Sequence, residues 1–113
     1  MRNQMVTIKR MLDHTFGALA DGTRRAILER LAHSDATVGE LAERFHVSRP
    51  AISKHLRVLE RAVLVRRIRD GRLSRCSIDG AALRAATRWM NDSLAFWTGQ
   101  LDSLARYVER RKS

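Results

Sequence analysis

Residues 37–57, TVGELAERFHVSRPAISKHLR, carry two helix-start signals eleven positions apart, which leaves room for two short helices, a tight turn and little else. Thr37 and Glu40 form the pattern T-x-x-E, in which a hydroxyl caps the open amides of a helix and an acid three positions on completes the box. Val38, Leu41, Ala42 and Phe45 then recur on one helical face. Ser48 opens the next helix, with Pro50 in its first turn, where a missing N–H costs nothing. At helical spacing Ile52, Leu56, Leu59 and Val63 share one side, while Pro50, Lys54, Arg57 and Arg61 occupy the opposite side with Ser53 at its edge. A helix of that polarity docks on a core by one side and presents cations on the other. Two such helices across a tight turn make a helix-turn-helix, whose second helix is shaped to enter the major groove of DNA.

The flanking segments complete a domain. Met5, Ile8, Leu12, Phe16 and Leu19 form a helical stripe, so residues 5–19 are expected as a first helix. Asp21 is a suitable cap for a second, whose apolar face is Ile27, Leu28 and Leu31. His33 to Ala36 reads as a polar break. Val65 to Ile78 changes to hairpin character, and Asp70-Gly71 is a type I′ turn signal. With those two residues as the turn, Arg69 faces Arg72, Ile68 faces Leu73 and Val65 faces Cys76. Like charges opposed on a hairpin repel in water, but two arginines at a tip suit phosphates or a narrow minor groove. A plain hairpin with a solvated tip is the simpler reading; the upstream helix-turn-helix favours a wing that touches DNA.

From Gly80 to about Arg110 the chain reads as one long helix capped by Asp79. Leu83, Thr87, Met90, Leu94, Trp97, Leu101, Leu104 and Val108 alternate steps of four and three, the a/d seam of a packed helix pair. Such a helix runs on the order of 45 Å, against a radius of gyration of ~13 Å for a domain of this size. Its seam therefore asks for more partner than one domain offers. The expected interface of a homodimer comprises Leu12, Phe16, Met90, Leu94, Trp97, Leu101, Leu104 and Val108; a helix folded back on its own core is the alternative. Gly99 marks a bend or a close crossing.

The chain's 113 residues fit one domain, 1–113, with 16–79 as a DNA-binding core and 5–19 and 80–110 as dimerisation helices. The expected fold is mainly α, a winged helix-turn-helix of order α-α-α-α-β-β-α. Of a formal net charge of +10, the window 44–75 holds +8, from ten cations against Glu60 and Asp70. A solvated face normally mixes signs; a single-sign one fits a polyanion. There is no apolar run of spanning length and no signal-peptide pattern, so the expected place is the cytoplasm, away from membranes. The lone cysteine, Cys76, agrees with a reducing compartment.

Three segments resemble the ArsR/SmtB family of bacterial repressors: FGALADGTRRAIL (Phe16 to Leu28), TVGELAERFHVSRPAISKHLRVLERAVLV (Thr37 to Val65) and DGRLSRCSID (Asp70 to Asp79). Where that family typically has a proline, this chain has Gly22. The resemblance implies a DNA-binding repressor, an autorepressor among the possibilities, and reading positions at Ser48, Arg49, Ser53, Lys54 and Arg57. Arg49 has the fork that grips a guanine edge; Ser53 suits a base or a phosphate; Lys54 and Arg57 suit phosphates, which position without specifying. Arg69 and Arg72 would add wing contacts. His55, at the flank of the apolar side, is read as a core-edge or phosphate-side histidine. The tail RWMNDSLAFWTGQLDSL resembles a subgroup without evident metal sites.

The family's metal sites use a cysteine near the start of the third helix, or Asp and His on the last. Here residues 36–41 contain no thiol and the last helix contains no histidine. His14, His33, His46 and His55 lie in different elements without ligand spacing, whereas zinc needs three or four convergent N or S ligands. No metal and no cofactor are therefore expected. Redox sensing at Cys76 is the lesser reading, a small buried hydrophobe the greater. An effector, if used, is expected to be a small apolar molecule at the seam near Trp89, Phe96, Trp97 and Tyr107, residues that equally serve as packing. No nucleophile–base pair, convergent carboxylates or phosphate loop suggests an enzyme. The competing function is a winged helix used for protein contacts or for coating DNA without regard to sequence.

Overall fold

The computed structural model describes residues 2–112, with the side chains of 2–6, 8 and 112 outside the description, so Met5 and Ile8 of the expected stripe fall outside it. The elements are α1 (Arg2–Leu19), α2 (Gly22–His33), β1 (Ala36–Thr37), α3 (Val38–Phe45), α4 (Arg49–Arg61), β2 (Val65–Asp70), β3 (Leu73–Ile78) and α5 (Gly80–Lys112). The chain divides into two compact units, one through Leu83 and one from Arg84 onward.

The first unit is built around α4. Ile52, Leu56 and Leu59 are wholly buried and meet Ile27 and Leu31 of α2, Leu41 of α3 and Leu64 at the base of the hairpin in one cluster. Burying side chains of this size contributes about 1.5–3 kcal/mol each. Each helix start is capped as its sequence asks. The Asp21 carboxylate accepts from Arg24 N–H, the Thr37 hydroxyl from Glu40 N–H and the Ser48 hydroxyl from Ala51 N–H. The Arg24 N–H, aided by nearby positive charge, holds the Asp21 carboxyl below its ordinary range. That cap is whole above the usual carboxylate pKa and is lost only as pH falls through the lowered one. At α3 the box departs from its usual form: Thr37 Oγ1 lies 3.1 Å from Glu40 Oε1, so the acid takes the cap's hydroxyl.

Two helices end in the same way. His46 N–H reaches Glu43 O and Val47 N–H reaches Ala42 O; Val63 N–H reaches Glu60 O and Leu64 N–H reaches Leu59 O. Each is a Schellman motif, which needs its penultimate residue in the left-handed region. Here those residues are His46 (φ 55°) and Val63 (φ 58°). The expected run of Val63 with Ile52, Leu56 and Leu59 therefore breaks. α4 stops at Arg61, and Val63 turns outward, 53% exposed, in a conformation that a β-branched residue adopts under strain.

The strands differ from expectation twice. Ala36, read as the end of a break, and Thr37, read as a helix cap, form a third strand: β1 pairs with β3, giving the order β1-β3-β2. A helix cap is extended in any case, and Thr37 at φ −83°, ψ 161° lies along the free edge of β3. Two residues are too few to show a strand's alternation. The hairpin also slides by two residues. Asp70 pairs with Leu73, Arg69 with Ser74, Arg67 with Cys76 and Val65 with Ile78, leaving Gly71 and Arg72 as the loop. Gly71 has φ +64° and Arg72 is not at positive φ, so the expected type I′ turn, which needs both loop residues there, does not form and glycine takes the first loop position. A slip of two preserves the face of every side chain. It brings Val65 against Ile78 and removes the expected opposition of Arg69 and Arg72.

The second unit is the continuous helix α5 beyond its first turns. Asp79 Oδ1 accepts from Ala81 N–H at its start, and its end lies two residues past the expected Arg110. The seam from Met90 to Val108 is exposed, with Leu94 at 67% and Trp97 at 61%. None of the helices in the described residues is long and apolar enough to cross a membrane.

Two substitutions test these local readings. Gly22 is the first helical residue of α2, Asp21 before it is already at φ −102°, ψ 131°, and a Cβ at Gly22 meets only Arg25 Nη2 at 3.7 Å. Gly22→Pro should therefore stabilise the chain by about 0.4–1 kcal/mol, read as a higher chemical-denaturation midpoint. Val63→Asn should also raise the midpoint, by about 0.5–1 kcal/mol, because it relaxes the left-handed position and gives up little packing. A drop in either case contradicts the cap geometry.

Candidate nucleic-acid interface

The outward side of α4 follows from its inward side. With Ile52, Leu56 and Leu59 in the core, Lys54 and Arg57 stand exposed on the opposite face, and Ser48 and Arg49 are exposed at the helix start. Ser53 is half-buried at the edge, as its wheel position requires. Arg49 does not reach straight out. It lies back across the first turn of α3, where a Cβ on Gly39 would stand 3.0 Å from its Nη2. A larger residue at 39 would displace the guanidinium by a few tenths of an ångström.

His55 is half-buried on the flank of α4, its Nδ1 3.5 Å from Arg24 Nη1 and 3.8 Å from Asp21 Oδ2. Arg24 also donates to Gly17 O and Ala18 O, and Arg25 to Leu19 O. The end of α1, the start of α2 and the flank of α4 are thus tied together, and His55 sits at the edge of the core.

On the hairpin, alternation from buried Val65 sends Arg67 and Arg69 to the inner face and Arg66, Ile68 and Asp70 to the outer. Arg69 is exposed near the tip and Arg72 lies in the loop itself, so both reach the wing's end without facing each other. Nine of the ten cations of residues 44–75 are exposed. Arg66 is one of them, with Nε 3.9 Å from Asp79. The tenth, Arg67, is turned inward: its Nη2 lies 2.8 Å from Glu60 Oε1 and donates to Ser53 O at 3.4 Å. The charge count credited Arg67 to the outer surface, although its place two residues after a buried valine already marked it as inward.

Cys76 is wholly buried where α2 and α3 pack on β3, the central strand, with Ala36 across on one side and Arg67 on the other. The expected neighbour, Val65, is displaced by the register. Burial pushes the thiol pKa up, and the nearby Arg67 offsets only part of this. Neither cross-strand neighbour offers a metal a donor, and no three His, Cys, Asp or Glu side chains gather into a site among the described residues.

Of the expected dimer positions, Leu12 is 8% exposed in the single chain and Phe16 is half-buried. The six on α5 are exposed.

Residues 19–68 match the model of a helix-turn-helix domain family. The chain is 47% identical over 97 residues to the HTH-type transcriptional regulator Rv2034 of Mycobacterium tuberculosis, covering 86% of this chain and 88% of that one. It is 37% identical over 79 residues to the transcriptional repressor SdpR of Bacillus subtilis, covering 70% and 88%. Among solved structures, an ArsR-like transcriptional regulator from Rhodococcus sp. RHA1 superposes with a TM-score of 0.83 at 36% identity, covering 92% of this chain and 95% of that one.

The placement of Cys76 sets its chemistry. At pH 8 the folded protein should resist iodoacetamide and should label fully in denaturant, as read by mass. Because the folded state holds the thiol proton more tightly than the unfolded chain, stability should fall as pH rises past the ordinary thiol range. Rapid stoichiometric labelling of the native protein would contradict this.

Proposed function

The chain belongs to the ArsR-type helix-turn-helix transcriptional regulators, and from that premise we propose that it acts as a homodimeric repressor of a pseudo-palindromic operator, its own promoter included. The observation that carries this reading is α4, a capped helix whose one side is core and whose other side is exposed and cationic. Lys54 and Arg57 clamp phosphates, Ser48 and Ser53 sit at the groove's edge, and Arg49 reads a guanine once it leaves Gly39. Arg69 and Arg72 bring the wing tip to the adjacent backbone or minor groove. Exposure and placement support these residue roles, and likeness to a transcriptional repressor of Bacillus subtilis supports repression.

The dimer follows from α5. Met90, Leu94, Trp97, Leu101, Leu104 and Val108 expose an apolar row that a lone chain in water has no use for. A second copy covers it with like residues at the same spacing. Leu12, already buried, adds little, and Phe16 adds its open half. The half-sites then lie about one helical turn apart, roughly 10 bp, or a multiple of it. An effector of this dimer would be a small apolar molecule against the exposed aromatics Phe96 and Trp97, which pack edge to face at 5.4 Å.

Selection of bound duplexes from random DNA, followed by footprinting, tests the proposal. A two-fold symmetric site should emerge. Equal binding to every duplex would mean a coating protein, and no binding would mean a module for protein contacts. Affinity should fall steeply with salt, about a thousandfold or more between 50 and 200 mM for six to ten phosphate contacts. Leu101→Glu should turn a sedimenting dimer into a monomer and weaken operator binding by on the order of a hundredfold. A variant that stays dimeric and fully active would remove α5 from the interface.

A further inference from the structure

We propose that Arg67 is a positioning residue that locks the wing to the recognition helix, so that α4 and the hairpin meet DNA as one rigid piece. This inference rests on the DNA-binding reading of α4 and the wing, and it takes one cation out of the DNA-contacting set that the charge run suggested.

Arg67 sits on β2 among arginines, yet its side chain is only 22% exposed and points at α4. One nitrogen makes both links: Nη2 is 2.8 Å from Glu60 Oε1 and 3.4 Å from Ser53 O. The two acceptors lie seven positions apart on α4, about two turns of the helix. A hydrogen bond between charged partners is roughly twice as strong as a neutral one, and partial burial shields it from salt. Nε is shut away from solvent without an acceptor, so this guanidinium is not offered to a phosphate.

The bond adds to the packing at the hairpin's base, on which the placing of its outer half depends. The outer half of the hairpin, from Ile68 to Leu73, is exposed throughout and has no core of its own. Its angle to α4 is set where β2 packs on α4, and Arg67 is the polar tie at that contact. Ser53, one of the proposed reading residues, is held through its carbonyl by the same side chain. A change in Arg67 therefore frees the wing tip to shift relative to the reading edge of α4.

The charges allow a test by sign. Glu60 is one of two anions among the cations of residues 44–75. Were it only a surface charge, Glu60→Gln would tighten DNA binding. With Arg67 as a lock, the same change loosens the wing and weakens binding. Glu60→Gln, Arg67→Met and the double variant are compared with the parent on the duplex selected by the parent and on a scrambled duplex. Melting temperature is followed in parallel, and backbone amide exchange is measured in the free proteins.

Each single change should weaken binding to the selected duplex by on the order of tenfold, and the double variant should lose no more than either. For Glu60→Gln, binding to the scrambled duplex should not fall. Amides from Arg66 to Ser77 should exchange faster while those of α2 stay unchanged. Unchanged or tighter binding by Glu60→Gln, or losses that add in the double variant, would overturn the lock. If the parent binds no DNA, the proposed function falls, and exchange alone decides the lock: faster wing exchange upholds it and unchanged exchange overturns it.

Discussion

Everything else in the first unit depends on the two-sidedness of α4. Its apolar side, Ile52, Leu56 and Leu59, is the part of the core on which α2, α3 and the base of the sheet converge. Because that side is inside, rotation of α4 about its own axis is fixed. Its cations then have a single direction in which to point. Fold stability and the display of Lys54 and Arg57 are thus one constraint: a polar residue at Leu56 would loosen the core and unseat the cationic face together.

Short helices gain little from length, so their ends matter. Three hydroxyl or carboxylate caps start α2, α3 and α4, and two Schellman motifs end α3 and α4. The motifs decide where the chain goes next. His46 turns it from α3 into α4, and Val63 turns it from α4 into the wing. Neither is glycine, and Val63 carries the greater strain, because branching at Cβ crowds the left-handed region. Its motif is held by buried Leu59 and Leu64, which flank it. Core packing therefore sustains a backbone state that the residue itself disfavours.

The sheet shows the same division between surface and interior. A hairpin alone would leave Cys76 on an edge. Pairing with β1 makes its strand central, and α2 and α3 packed on that strand close the thiol in. Arg67, directly across, is then an inward cation, and Glu60 and the Ser53 carbonyl answer it. Of the cations between Arg44 and Arg75, this one is spent inside the protein. A count of charges along the chain does not separate the two uses; strand alternation from Val65 does.

The sequence by itself determined the elements whose signals are local. Caps at Asp21, Thr37 and Ser48, the apolar rows of α2 to α4, the turn around Gly71 and the seam of α5 all depend on residues a few positions apart, and each lies where its pattern placed it or within a residue or two, Val63 at the end of the α4 row excepted. The same patterns placed Lys54 and Arg57 on the outer face of α4. Tertiary structure decided what depends on distant partners. Two residues at 36–37 became a strand only because β3 had a free edge. The hairpin's register was settled by Val65 finding Ile78, which a turn signal cannot weigh. Arg49 rests on Gly39 and Arg67 on Glu60 because the fold brings α3 to α4 and α4 to β2. Local patterns set which backbone forms; the destination of a long, charged side chain is set by whichever acceptor or open space the assembled fold puts within its reach.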